Sequence, residues 1–541
     1  MKSSKLSREE QIQQDARDLE KLGYAQQLFR EMGGFSNFAI SFSIISILTG
    51  AVLLYGYGLK FAGPIINTVG WPVVSIFTLC VAASMAELAS AYPTAGGLYY
   101  WSLRLGGRGW GWVTAWLNML GQVTATAGIN IAAATYIIGA LSRMFNLSAE
   151  IALPFFGTIT TTSWNFQVCV MTLLMIPQAL INIYGIRLTA RLNDFSVWWH
   201  IAGVFLMAAL LLFFGTHHNS FSFLFSHAGA VNPLEAVSAE IKTGVTGPAL
   251  AFGDSKFASP LFTMFPGLAD LYQMAPFLLV FVLGMLQAQW TYTGYDASAH
   301  VAEETVMARL NVSWGVFLSV AVSAVVGYVL VMILTWCIPN GDIAKTANDP
   351  YPVLYVVYQN LKPALGHIVS IIIGVAMWLC GLASITSMGR MWYAFARDDG
   401  MPLSGFLKQI HPVRKTPGNA ILVTCVLTIV TCLWAAAFSV VTSISTIALY
   451  LAYVIPVFLN WRNRRKQKGE FVSRENAPWN LGKWSSAINV VAMVWTVFIC
   501  LVFSIPPNEL VLWTMILLAA LLTIYWFASP RRHFHSPRPR S

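Results

Sequence analysis

Apolar stretches of some twenty residues recur from one end of this chain to the other, at 36–58, 67–91, 112–141, 165–184, 195–215, 275–297, 312–338, 366–390, 418–437, 440–460, 484–504 and 509–528. A helix needs about 20 apolar residues to cross a bilayer. Inside lipid, only a helix satisfies every backbone group within one such segment. The pattern predicts an all-α integral membrane protein with about twelve spans, numbered here in chain order. Only 10% of the 541 residues are charged, against roughly 25% in a soluble domain. The softest division is within 418–460, where a short turn near 438–443 is expected to separate spans 9 and 10.

The polar residues that do occur orient the spans. Lys and Arg number 33 against 23 Asp and Glu, a net charge of +10. With the N-terminus in the cytoplasm, 27 of the 33 basic residues fall in cytoplasmic segments and six outside, the asymmetry that the positive-inside rule demands. Both termini are therefore expected in the cytoplasm of a multi-pass cell-membrane protein. The organisation follows: a cytoplasmic tail with a surface helix over 1–35, spans 1–5 over 36–215, and an external loop over 216–274. Spans 6–10 then cover 275–460, a basic cytoplasmic loop 461–483, spans 11–12 484–528, and a basic tail 529–541. Residues 5–31 read as one helix with Leu19, Leu22, Leu28 and Phe29 on its apolar side. The basic run 462–468 suits anionic lipid. Its placement in short loops, not on one polar domain, argues against nucleic acid. The charged first 30 residues and the long first apolar run do not fit a secretory leader. The seven cysteines lie in or at the edge of apolar stretches without metal-ligand spacing, and no metal or cofactor is expected.

Two spans carry polar interruptions. In span 1, Ser41-Phe-Ser-Ile-Ile-Ser-Ile-Leu-Thr49-Gly50 places Ser43, Ser46, Thr49 and Gly50 near mid-membrane. In span 6, Trp290-Thr-Tyr292-Thr-Gly294-Tyr295-Asp296 does the same. Small residues in one span are as compatible with close helix packing. Interruptions five helices apart, however, point to an inverted-repeat carrier with its binding site between the two breaks. Freed N–H groups there can receive a carboxylate and freed carbonyls an ammonium, while aromatic faces offer cation–π contact.

Three motifs then converge. Ala86-Glu87-Leu-Ala-Ser-Ala-Tyr92-Pro93-Thr94-Ala-Gly96-Gly97-Leu-Tyr99-Tyr100-Trp101 resembles the signature between spans 2 and 3 of the amino acid–polyamine–organocation superfamily. Asn37-Phe-Ala-Ile-Ser-Phe-Ser-Ile-Ile-Ser and Arg390-Met-Trp-Tyr393-Ala-Phe-Ala-Arg397-Asp398-Asp-Gly400-Met-Pro402 resemble its amino acid/choline transporter branch, which includes GABA permeases and bidirectional amino acid transporters. The likeness covers about residues 20–530. It implies a leucine-transporter-like fold, spans 1–5 and 6–10 forming a 5+5 inverted repeat with spans 11 and 12 peripheral. It also implies that Ile47, Leu48, Thr49 and Gly50 hold a substrate carboxylate, that Tyr292, Thr293 and Gly294 hold its amine, and that Tyr295 lies near a gate. The expected activity is secondary active transport of an amino acid or amine such as GABA, with choline or a polyamine as the alternative cargo. Leu48-Thr49-Gly50 departs from the commoner Gly-x-Gly form of span 1.

Charge inside the bilayer costs roughly 2.5–3.5 kcal/mol per residue on insertion scales, so each intramembrane charge is informative. Glu87, Asp194, His200 and Asp296 are the candidates. His200, which titrates near neutral pH, falls near where some proton-coupled relatives place a lysine. Sodium coupling would instead draw on Ser384, Thr386 and Ser387 of span 8 beside carbonyls of span 1. Either H+ or Na+ is compatible with these residues.

An enzyme would need a cluster of catalytic acids, histidines or ligands, whereas the other histidines are scattered through loops, helix ends and tail. No phosphate-binding loop or nucleophile elbow occurs, and no polar face repeats along several spans as a channel would require. The remaining non-transport alternative is a nutrient receptor on a transporter frame, which would bind ligand without moving it.

Overall fold

The computed structural model describes residues 7–528, except 149, 154–156, 162, 230–259, 275 and 435–437, together with Phe534. It is almost entirely helical. Among the described residues ten helices are long and apolar enough to cross a membrane: Gly34–Leu53, Ile66–Ala91, Arg108–Phe145, Trp164–Tyr184, Arg187–Phe214, Ala308–Trp336, Pro363–Arg397, Val441–Lys466, Gly482–Val502 and Glu509–Ala528. An eleventh span arises if Pro266–Met274 and Phe277–Thr291, bent by 93°, are counted together. The helix Gly418–Trp434, in the place of span 9, is shorter, with 17 residues. The next helix already begins at Phe438, so the separation of spans 9 and 10 falls before the 438–443 turn that the sequence suggests.

Span 3 lies at the centre. Arg108–Phe145 is buried over most of its length and packs against Phe438–Lys466, Pro363–Arg397 and Trp164–Tyr184. Ala308–Trp336 packs in turn against Trp71–Ala91 and Gly34–Ile45. Glu509–Ala528 is almost uncovered by protein, which suits an apolar helix whose remaining surface faces lipid. Between spans 3 and 4 a small antiparallel ribbon pairs Glu150–Leu153 with Gly157–Thr160.

The N-terminal segment differs from the single helix expected over 5–31. Arg8–Lys21 is helical, opened by a capping box in which Ser7 and Glu10 bond reciprocally. Gly23, at φ +97°, follows the C-cap and stops the helix, because a left-handed residue cannot continue it. Leu19 is buried on the helix, but Leu28 is buried at a bend in the irregular chain beyond it, and Phe29 is exposed. That segment reaches Met32, which pairs with Thr305 in an isolated parallel bridge. The helix itself is fixed by Asp15, whose carboxylate accepts from Met307 N (2.7 Å) and Ala308 N (3.1 Å) at the start of span 7.

Of the loop 216–274, residues 230–259 lie outside the described part. Its flanks pack onto the spans: Asn219 Nδ2 donates to the Trp336 and Ile338 carbonyls, and Leu261 N to Glu509 Oε1 at 2.7 Å. The basic run 462–468 is not wholly free for lipid. Arg464 turns back to Glu87 (3.4 Å), whose carboxylate also accepts from Ser485 Oγ at 2.6 Å. The tail 529–541 lies outside the described residues apart from Phe534.

Candidate substrate site

Span 1 breaks at one residue. Ser46 adopts φ 32°, ψ 85°, between a helix ending at Ile45 and a second helix, Ile47–Leu53. The backbone N–H groups of Thr49 (2.7 Å) and Gly50 (3.0 Å) both return to Ser46 O. The expected break at 47–50 is therefore one residue earlier, and Ile47, Leu48, Thr49 and Gly50 form the first turn after it. Their positions follow from hydroxyl chemistry. Ser46 Oγ bonds Thr49 Oγ1 at 2.6 Å and His200 Nε2 at 2.7 Å. These side-chain bonds offer a local alternative to the helical ladder.

Span 6 breaks over Tyr292–Asp296. The helix stops at Thr291, and Gly294 at φ +91° turns the chain. A four-residue helix, Ala297–His300, then restarts it. Three backbone groups in the break have partners from other spans. Tyr450 Oη donates to Tyr292 O (3.1 Å), Ser41 Oγ to Tyr295 O (2.9 Å), and Gly294 N to Tyr453 Oη (3.1 Å). Tyr292 Oη meets Ser75 Oγ at 2.7 Å, Thr293 Oγ1 returns to Trp290 O, and the Tyr295 ring lies 4.8 Å from that of Tyr453. All four residues, 292–295, are buried.

The two breaks touch. A Cβ added to Gly50 would stand 2.5 Å from Thr291 Oγ1 and 2.8 Å from Thr291 Cα. One added to Gly294 would stand 2.2 Å from Ile44 Cγ2. Gly50 and Gly294 thus lie where spans 1 and 6 cross, and the two glycines are what lets the helices meet. Gly50 faces span 6 there, not open space.

The coupling candidates separate. His200 is buried and reaches the break: Nδ1 donates to Ser196 O at 2.7 Å, leaving Nε2 to accept from Ser46 Oγ. Ser384, Thr386 and Ser387 are also buried, but the described hydroxyl contacts do not lead to span 1. Ser384 bonds Thr126 of span 3, and Thr386 donates to Asn182 Oδ1 of span 4 at 2.7 Å. The span 8 side chain that does reach the break is Cys380, whose Sγ lies 3.3 Å from Ile44 O. A hydroxyl pattern in a helix does not reveal which neighbour each hydroxyl will meet.

Several polar residues beside the site had no role assigned from sequence. Asp296, noted only as an intramembrane charge, accepts from Tyr453 Oη (2.8 Å) and Asn118 Nδ2 (2.9 Å), and its Oδ2 lies 3.0 Å from His300 Nε2. Just beyond, Glu303 is held by both Arg397 terminal nitrogens at 3.0 Å, and Glu304 by Arg390 at 3.3 Å. Arg30 of the N-terminal segment donates to the Ala302 and Thr305 carbonyls. Tyr24 Oη donates to Asp398 at 2.6 Å, with the Arg397 guanidinium 3.8 Å over the Tyr24 ring. Burial pushes the Asp398 carboxyl up to about 6, against the opposing pull of Arg397 and bonds from Tyr24 and Tyr99. These contacts tie the segment after the span 6 break to the end of span 8 and to the N-terminal segment. The signals were present as Glu303-Glu304 and as Arg390 and Arg397 seven residues apart on one helix face, but their pairing needed the fold.

The chain's likenesses agree with this architecture. The model of the family described as Amino acid permease matches residues 32–528. Amino-acid permease BAT1 of Arabidopsis thaliana is 32% identical over 96% of this chain and 95% of its own. Its homolog in Oryza sativa subsp. japonica is likewise 32% identical, over 96% and 94%. The GABA-specific permease of Saccharomyces cerevisiae is 26% identical over 91% and 78%. With a family match across nearly the whole chain, membrane-length helices and two interrupted spans that meet, the chain belongs to the amino acid permease family of the amino acid–polyamine–organocation superfamily: it is an integral membrane amino acid transporter and not an enzyme.

Proposed function

We propose that the protein is a secondary active transporter that carries an amino acid or an amino-acid-like amine, GABA among them, by alternating access. The observation that carries this reading is the meeting of two helix breaks, at Ser46 and at Tyr292–Asp296, with glycines at the crossing. The first turn after the span 1 break, Ile47 to Gly50, would receive the substrate carboxylate. The backbone of Tyr292, Thr293 and Gly294 would receive the amine, and Tyr295 would close over it. Spans 1–5 and 6–10 would then be the two halves of an inverted repeat that rock about this site. The names of the plant and yeast relatives support this cargo class.

His200 serves this site by holding Ser46. Its ring is satisfied in the neutral form, one nitrogen donating to Ser196 O and the other accepting from a hydroxyl. On this reading the inner-end pairs Glu303–Arg397, Glu304–Arg390 and Tyr24–Asp398 hold the cytoplasmic side shut and separate when it opens. The basic asymmetry supports cytoplasmic termini in the cell membrane.

Uptake into vesicles reconstituted with the purified chain, using labelled amino acids, GABA, choline and polyamines, tests the proposal. Accumulation of at least one amino acid or GABA, inhibited by the unlabelled compound, is expected. Saturable binding of such a compound without any uptake would identify a receptor and overturn it. Uptake of choline or a polyamine alone would replace the cargo class.

A further inference from the structure

We infer that Asp296 and His300 form a proton-binding site, and that the transporter takes up and releases one proton there as span 6 moves. This inference rests on the transport reading. His300 is fully buried, and both ring nitrogens face acceptors: Nδ1 lies 3.1 Å from Ala95 O and Nε2 3.0 Å from Asp296 Oδ2. A backbone carbonyl only accepts, so Nδ1 carries a proton. A neutral ring would then point the Nε2 lone pair at a carboxylate oxygen, two acceptors at 3.0 Å. The contact requires one more proton, either on Nε2 as imidazolium or on Asp296 as a carboxylic acid bonded to Nε2. His200 differs, because its second partner is a hydroxyl that can donate.

The charged groups around the pair are already committed. On the same segment Glu303 is matched by Arg397 of span 8, and Glu304 by Arg390. Glu303 also accepts from Ala95 N at 3.1 Å, next to the carbonyl that holds His300. Span 3 presents Asn118, which is neutral, and span 10 presents Tyr453. The N-terminal segment contributes Arg30, bonded to carbonyls. Among the described residues Asp296 has no arginine or lysine partner, so its only countercharge is the proton on His300. A buried carboxylate without that proton would be an uncompensated ion, costly in this setting.

The site is wired to the substrate crossing. Tyr453 Oη accepts from Gly294 N and donates to Asp296 Oδ1, so one hydroxyl joins the span 6 break to the pair. Asn118 Oδ1, buried beside it, has no hydrogen-bond partner among the described residues. Loss of the proton sets Nε2 against Oδ2, loosening the restarted helix Ala297–His300 from Ala95 and Tyr453. The balance is simple: one H+ binds from the water on one side with the pair otherwise unchanged, and the same H+ leaves to the other side.

The test uses the full-length protein. Wild type in vesicles should show proton influx with amino acid uptake, and uptake should rise by up to about tenfold per unit fall in external pH below saturation, the slope of one linked proton. His300→Gln should keep exchange of labelled for unlabelled substrate while losing proton influx and the pH slope, and Asp296→Asn should likewise lose proton influx and the pH slope. Nitrogen-15 NMR of the purified wild type, with the infrared carboxyl band assigned by Asp296→Asn, reads the proton independently of transport and of variant folding. A doubly protonated ring or a protonated Asp296 at neutral pH is expected. A neutral ring beside an ionised Asp296, or variants that retain proton-linked uptake, would overturn the assignment. Failure of the whole substrate panel would instead strike the transport reading, while the spectra still decide the site.

Discussion

Replacing Gly50 by Ala is the smallest change that tests the crossing of the two breaks. The added Cβ would fall 2.8 Å from Thr291 Cα and 2.5 Å from Thr291 Oγ1. Ordinary carbon contacts lie at about 3.5–4.0 Å, so spans 1 and 6 must part by about 1 Å. Overpacking of this kind costs roughly 1–3 kcal/mol, too little to unfold a protein whose stability is of the usual size, about 5–15 kcal/mol. The same displacement falls at the substrate-binding turn, where a 1 Å misplacement in a positioned site can cost about 100-fold. Gly50→Ala should therefore reach the membrane, remain monodisperse in detergent and melt a few degrees lower, while initial uptake drops by one to two orders of magnitude. Adding Thr291→Ala removes the hydroxyl but leaves Cα in place, so it should not restore uptake. Uptake by Gly50→Ala within about twofold of wild type, or full rescue by Thr291→Ala, would show that the backbone contact does not set the site.

Other perturbations read neighbouring parts of the structure. Gly294→Ala should fail for two reasons, the φ of +91° and the contact with Ile44 Cγ2. A second change, Ile44→Ala, relieves only the contact, so uptake should recover in part; complete recovery would mean that the roughly 1–3 kcal/mol of backbone strain is absent. His200→Gln should weaken uptake, since Ser46 loses its partner, but keep its pH slope; a flat profile in this variant would move the proton to His200. Asp398, raised by burial to about 6 from 3.8, favours the protonated, docked state. Because the folded value is the higher one, the stabilisation is full below the ordinary carboxylate range and is lost as pH rises through about 6, by at most about 3 kcal/mol. Melting temperature should therefore fall from about pH 5 to pH 7 more in wild type than in Asp398→Asn, and equal slopes would refute the burial-raised carboxyl.

The membrane class, the number and order of spans to within one or two, and the location of both breaks were legible in the chain. Bilayer thickness imposes a length on apolar runs, and a polar interruption such as Ser46 or Tyr292-Thr-Gly294 cannot hide within one. These are local constraints, which a sequence expresses directly. The ending of the first helix at Gly23 was equally local, yet the apolar spacing of Leu19, Leu22, Leu28 and Phe29 concealed it. Tertiary structure decided which partner each polar side chain found. Ser384 and Thr386 turned to spans 3 and 4, Cys380 reached span 1, and Glu303 and Glu304 met arginines some ninety positions away. His300, one scattered histidine by sequence, became half of a buried pair because span 6 restarts as a helix only after Gly294, setting residues 296 and 300 one turn apart against the turn at Ala95. A hydrogen bond acts over about 3 Å, and only the folded chain brings residues distant in sequence within that reach.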